Sequence, residues 1–412
     1  MRKMIRRYGL LLVLLIVVAA GVWISFSRPT YEPPRQPELR KRVNYLARVI
    51  AEGVGPGTGL AAIGEQTPEW ALFTLSFSTY AFTNLAAQDT SFRAEAGRLT
   101  GQAIELALSE PIRGPFEYVY RSGLPDTTHS VLYLGHLELM LGCHRQLVPS
   151  SRYAALHDAV AGALYRRFQR EPAGCLESYS GQRWLPDNTV ALAALALHSR
   201  LTGSPYEEAG RRWTARARQQ WCQPGTGLLM SQVDSVGRPM EEPRGSMLSW
   251  GIWFLARFDS TLAAKQYTAF REQASTNFGV VRLYRERPGR YTTGLGDIDS
   301  GPLVLGYSIP ANAFALADAV ALHDVRNAAR LRRLVALGSR THETDTEISY
   351  GVRLVNLPVS PLAEALLLWA ETGGTLPLLS EASCQLGHQY CLRRISSLPF
   401  GFCCGRCTGS LA

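Results

Sequence analysis

Charge is scarce in this sequence. Charged residues make up 19% of its 412 positions and hydrophobic residues 46%, a balance that excludes disorder as the default state and leaves ample material for a large core. The positive excess is thin as well. Four of the nine net positive charges sit at Arg2, Lys3, Arg6 and Arg7, and the remainder is too dilute to form a nucleic-acid-binding face, so no nucleic acid partner is expected. The strings of nucleotide chemistry and of common hydrolases are missing: there is no phosphate loop, no GxGxxG, no GxSxG nucleophile elbow and no HExxH pair. The sequence therefore points to no cofactor and no metal. Runs of alternating polarity are few and short, which argues against a sheet-based body, and the lack of a clear internal repeat argues against an open solenoid.

Two segments stand apart from the rest. Tyr8 to Phe26 carries no charge, and at about 1.5 Å per helical residue it can cross the ~30 Å hydrocarbon layer once. The basic cluster before it holds the amino terminus inside the cytoplasm and sends everything after Ser27 outward. This reads as a signal-anchor; the competing reading is a signal peptide cleaved after Val18-Ala19-Ala20, but Gly21 to Phe26 prolongs the apolar run past that site. Residues 27–38 form a Pro-rich linker. At the other end, 376–412 holds five of the eight cysteines, Cys384, Cys391, Cys403, Cys404 and Cys407. Disulfides, an irregular zinc site with His388, and an aperiodic tail without function are all compatible with that spacing.

Between them, residues 39–375 repeat apolar positions at helical spacing. The pattern predicts an all-α body of about twelve helices, at 38–53, 68–87, 91–109, 127–145, 151–170, 187–203, 205–221, 246–258, 261–276, 303–322, 324–337 and 360–372. The connections between them alternate. Long ones rich in Gly, Pro and aromatics (54–67, 110–126, 171–186, 222–245, 277–302, 338–359) take turns with very short ones. In an array of antiparallel hairpins, strict alternation puts every long loop on one rim, and six hairpins can close into an (α/α)6 toroid with a central cavity. The residues just before each inner helix then face the mouth.

Those positions are rich in carboxylates and aromatics. In Gly296-Asp297-Ile298-Asp299-Ser300-Gly301 the two acids are one residue apart; extended geometry would turn both to one side, where a shared proton raises one pKa. The bland alternative is a helix cap plus a loop-amide bond. Asp187 and Asn188 are good caps too, but Trp184 beside them supplies the flat face that sugars favour and Glu177 adds polar reach, so Glu177, Trp184 and Asn188 are candidates for substrate binding. Trp70, Trp250 and Tyr291 are further candidates for substrate walls. His129 and His136 are two turns apart on one helix; His129, nearer the mouth, suits acid/base work, and metal ligation would need more ligands.

The body from about residue 40 to 375 resembles the six-hairpin toroid superfamily that includes many glycosidases. Tyr133 to Gly142 and the loop from Cys175-Leu176-Glu177 to Asp187-Asn188 are similar to bacterial linalool dehydratase/isomerase-type domains, although Ser178 and Tyr179 follow Glu177 here. The superfamily resemblance implies an acid and a base across the cavity mouth, a role open to Asp187 with Asp297 or Asp299. Three functions follow as expectations: a membrane-tethered, outward-facing enzyme acting on a glycan or polyhydroxy substrate; a lyase or isomerase on a small alcohol; and a non-catalytic envelope-binding module.

Overall fold

The computed structural model describes residues 13–19, 31–118, 130–289, 296–353, 357–358 and 360–373. His129, Tyr291 and the cysteine-rich tail lie outside the described residues. Of the apolar run 8–26 only 13–19 is described, as helix, and no helix among the described residues is long and apolar enough to cross a membrane.

Six helices form an inner ring: α3 (Pro68–Gln88), α6 (Val131–Leu147), α8 (Leu185–Thr202), α10 (Gly245–Leu255), α12 (Ile309–Ala321) and α14 (Pro361–Thr372). Each packs on the next, and α14 returns to pack on α3, so the ring closes. Six others lie outside it: α1 (Gln36–Glu52), α4 (Arg93–Leu108), α7 (Ala154–Arg170), α9 (Glu208–Arg216), α11 (Ser260–Gln273) and α13 (Val325–Gly338). The body is an (α/α)6 toroid. Two short helices that the periodicity did not announce, α2 (Gly59–Gln66) and α5 (Glu110–Tyr118), sit inside long connections.

Burial patterns explain which helix goes where. In α8 every residue from Leu185 to Ser199 is buried, and in α3 nearly every one from Ala71 to Ala86, as expected of helices covered on all sides. In α1 only a stripe at Leu39, Val43, Leu46, Val49 and Ile50 joins Arg42 inside, the signature of a helix with one face in solvent. The inner helices begin with rigid signals. Pro68, Pro186, Pro310 and Pro361 occupy first-turn positions, where a missing N–H costs nothing. Ser130, Ser308 and Ser360 cap α6, α12 and α14 by accepting bonds from the N–H groups of Tyr133, Ala311 and Ala363.

The long connections carry the strands, all antiparallel: β1 (Arg183–Trp184), β2 (Gln232–Val233) and β3 (Pro239–Glu241) in one sheet, β4 (Ser275–Asn277) with β5 (Arg282–Tyr284), and β6 (Ser339–Glu343), β7 (Ile348–Val352) and β8 (Leu357–Pro358) in a third. These ladders satisfy the backbone groups of loops that would otherwise be too long to hold a shape. Gly245 is required where the 285–286 strand end crosses the start of α10: a Cβ there would collide with the Arg285 carbonyl.

Candidate active site

Residues from the long connections and the inner-helix N-termini line one cavity of about 1130 Å³. Thr67, Tyr179, Gln182, Asp297 and Ser339 all reach it, so loops 54–67, 171–186, 277–302 and 338–359 open on the same rim.

Asp187 stands in the first turn of α8, past the cap position, which is Trp184. Its carboxyl is 8% exposed and lines the cavity. Burial pushes its pKa up to about 7, opposed by the Ser178 hydroxyl and reinforced by the negative charges of Asp299 and Glu69. No cation pairs with it among the described residues.

Asp297 and Asp299 meet across a turn rather than along a strand, because Gly296, at φ 74°, bends the chain. A Cβ at that position would strike the Gly301 carbonyl. Asp297 accepts the Ser300 N–H at 2.9 Å and pairs with Arg244 at 2.6 Å. Partial burial works to raise its pKa, but the Ser300 bond and the guanidinium outweigh it and hold Asp297 below the ordinary range. Asp299 lies 3.7 Å from the same guanidinium. Crowding by the rim pushes it up to about 6; Arg244 opposes this, while Asp297, Glu286 and Glu69 reinforce it. Since 42% of its side chain meets solvent, Asp187 is the better sequestered acid.

Three groups that the sequence reading did not single out complete this centre. Arg244, 3% exposed at the start of α10, pairs with buried Glu286 at 2.7 Å and with three more exposed carboxylates, Asp297, Asp299 and Glu241, the last at 3.7 Å. Glu286 also takes the Ser246 hydroxyl and N–H, at 2.7 and 3.1 Å. Glu69, in the first turn of α3, accepts the Tyr179 hydroxyl at 2.6 Å, and its second oxygen is buried without a partner. Position was the available signal, since Thr67-Pro68-Glu69-Trp70 and Arg244-Gly245-Ser246 precede inner helices. A single acid in a loop does not otherwise announce itself.

The aromatic candidates divide. Trp70, Trp184 and Trp250 line the cavity. Trp250 is packed between Phe73 and Phe314, with ring centroids at 4.8 and 5.0 Å. Glu177 and Asn188 do not line it. Glu177 pairs with Arg183 at 2.9 Å. Asn188 is fully buried and its amide straps the preceding loop, accepting the Leu176 N–H and donating to the Leu176 and Trp184 carbonyls. His136 is a core residue, bonded to the Tyr80 hydroxyl at 3.0 Å, and burial pushes its pKa down to about 3.

One group among the described residues has spacing fit for a metal: buried Glu138, His157 and His198. Three of its four ring nitrogens have hydrogen-bond partners. His157 meets Glu138 at 3.0 Å through Nε2 and Arg145 at 3.2 Å through Nδ1, while His198 Nε2 meets Asp158 at 3.0 Å. A guanidinium on the ring can only donate, so it requires Nδ1 of His157 as acceptor and puts the ring proton on Nε2, where neither that nitrogen nor either Glu138 oxygen makes a hydrogen bond. The cluster is a buried polar group in the core, and burial holds Glu138 well above the usual carboxylate range.

No protein-family model matches the sequence. Among solved structures the fold is similar to an unsaturated glucuronyl hydrolase of Bacillus sp. responsible for the degradation of glycosaminoglycan (TM-score 0.52, 13% identity, 82% of this chain and 95% of that one). It is similar also to an inactive variant of an α-1,6-mannanase of Salegentibacter sp. in complex with α-1,6-mannotetrose (TM-score 0.51, 10% identity, 82% and 98%), and to a D-mannose isomerase (0.50, 13%, 74% and 87%). At such identities the likeness establishes the (α/α)6 fold that the chain shares with these glycosidase-like enzymes, and no more.

Proposed function

We propose that this protein is a glycoside-cleaving enzyme working by carboxylate acid/base catalysis at the toroid mouth. The observation that carries the reading is Asp187: a buried, cation-free carboxyl facing a cavity, raised to about 7, hence protonated in a large fraction of molecules at neutral pH and able to donate to a leaving oxygen. Asp299, raised only to about 6 and closer to solvent, is ionised there and serves as the base that accepts a proton from water. Asp297, tied to Arg244 and the Ser300 amide, positions Asp299 instead of exchanging protons. Trp70 and Trp184 offer flat faces to a sugar, and the fold shared with glycan-acting hydrolases and an isomerase supports the class.

The same acid and base could run a lyase or isomerase reaction on a small alcohol, the chemistry of the linalool dehydratase/isomerase-type domains. The aliphatic part of the cavity lining favours this second reading. Incubating the protein with a panel of glycosides and oligosaccharides, and with allylic alcohols, and analysing products by mass spectrometry separates the two. Release of reducing sugar that disappears in Asp187→Asn supports the first; no glycoside consumed, with alcohol dehydrated, replaces it.

The uncharged run 8–26 and the basic residues before it are the basis for placing the enzyme at the cell membrane, single-pass, with its body on the outer side. Membrane fractionation with protease protection tests this, and recovery of a soluble body beginning at Gly21 would reject the anchor.

A further inference from the structure

The cavity does not end at the carboxylates. It runs on as a groove between α12, α13 and α14, walled by Ile309, Ala313, Leu316, Val335, Leu362 and Leu366. These walls are aliphatic and incompletely covered: Ala313, Val335, Leu362 and Leu366 are half-buried, and Ile309 is 61% exposed. Ile298, which also lines the cavity, is 58% exposed, and Leu305, in the connection that leads to α12, is 77% exposed and held in left-handed backbone at φ 55°, which costs a bulky side chain energy that packing elsewhere must offset. A sugar ring needs hydrogen-bonding groups around its edge and aromatic faces above and below it. Glu69, Asp187, Asp299, Trp70 and Trp184 supply both, whereas the lining contributed by α12, α13 and α14 and the loops beside them is mainly aliphatic, with Phe314, Ser339, Tyr350, Ser360 and Glu364 as its aromatic and polar members.

We infer that the substrate is amphiphilic, a glycosyl head bound at Asp187 and Asp299 whose hydrocarbon aglycone lies along the groove between α12 and α14. This rests on the glycosidase reading and narrows its substrate class to glycolipids. In the reaction the anomeric C–O bond breaks, the proton of Asp187 passes to the aglycone oxygen, water adds its hydroxyl to the anomeric carbon and its proton goes to Asp299. The products are a free sugar and a long-chain alcohol. Each methylene that enters the groove should tighten binding by about fourfold until the walls are covered.

The test uses the full chain in phospholipid nanodiscs, irradiated with alkyl glucosides carrying a terminal diazirine, with adducts mapped by mass spectrometry. The expected adducts fall within 325–338 and 361–372, are competed by decyl glucoside and not by glucose, and drop at least tenfold in both Ala313→Phe and Leu366→Asp, either of which suffices if the other fails to fold. Adducts confined to residues 8–26, or unchanged by the substitutions in folded protein, overturn the inference and leave the groove to a protein partner. Asp187→Asn should keep the adducts. Groove adducts with no glycoside ever cleaved by the parent would remove the glycosidase reading alone; cleavage of aryl glycosides without groove adducts or chain-length dependence would remove the amphiphile alone.

Discussion

Two of the regions where this toroid buries ionisable groups treat them in opposite ways. Where α1 meets α14 at the ring closure, the Arg42 guanidinium and the Glu371 carboxylate, 1% and 0% exposed, pair directly, and Arg332 takes the other carboxylate oxygen. At the mouth, Asp187 is buried too, at 8% exposure, and has no counter-ion. Burial alone penalises charge in both places. What differs is the partner: a mated charge ties two ends of the chain together across 329 positions, whereas an unmated carboxyl keeps its proton to near neutrality and can give it away. A missing counter-ion matters chemically only where the carboxyl also faces a cavity: Asp187 does, whereas Asp318, equally without one among the described residues, does not line it.

The largest effect expected from breaking the contrast is on turnover. Asp187→Asn and Asp299→Asn should each lower kcat by about 10²–10⁴-fold, the usual scale for losing a proton-transfer group, while circular dichroism and melting show a folded protein. If turnover survives in both, the mouth carboxylates are not the acid and base. At the closure the effect should appear in stability instead. Arg42→Met or Glu371→Gln should each destabilise by about 3–5 kcal/mol, because a lone buried charge or an orphaned partner remains, and the double replacement by apolar residues should recover much of the loss; chemical denaturation measures all of them.

The contrast also has a pH dependence whose sign can be worked out. Asp187 is raised from 3.8 to about 7 on folding, so between those values the folded protein holds a proton that the unfolded chain has released. Its contribution to stability is therefore full below about 4 and is lost as pH rises through 7. Asp187→Asn removes this loss, and the variant should be more stable than the parent at pH 8 by up to about 4 kcal/mol, with the difference shrinking toward pH 4. A variant equally destabilised at both pH values would indicate a plain structural role. The smallest effect is expected at Asp297: with its charge already committed to Arg244, Asp297→Asn should cost about tenfold or less in kcat and shift the acidic limb of the pH–rate profile, because one of the negative charges that raise Asp299 is gone. A loss matching that of Asp299→Asn would instead make Asp297 the base.

Helix positions and the loop-length alternation were legible residue by residue. The segment 360–372 was read within one residue of α14, and 68–87 within one of α3, because inner helices are long apolar runs with Pro or Ser at their starts. Less was legible where local pattern and tertiary context compete. The 303–322 segment was read as one helix, but α12 begins only at Ile309; the preceding residues satisfy their backbone by pairing with Arg285 and with one another, a partner no local period encodes. Asn188 looked like a substrate contact because it sits beside Asp187. On a helix, neighbours in sequence point about 100° apart, and its side chain turns into the loop backbone.

The sequence by itself determined the helical body, the six-fold alternation that closes it, and the placing of acids and aromatics ahead of the inner helices, because these depend on periodicity and on chain length between turns. It could not determine which acids would keep a proton. Asp187, Asp297 and Asp299 are chemically the same residue, and only the folded ring gives Asp297 a guanidinium at 2.6 Å, leaves Asp187 buried without one, and brings Glu69 from 118 positions away to add its charge. Ionisation responds to distance and dielectric in space, and those exist only once the six hairpins have closed.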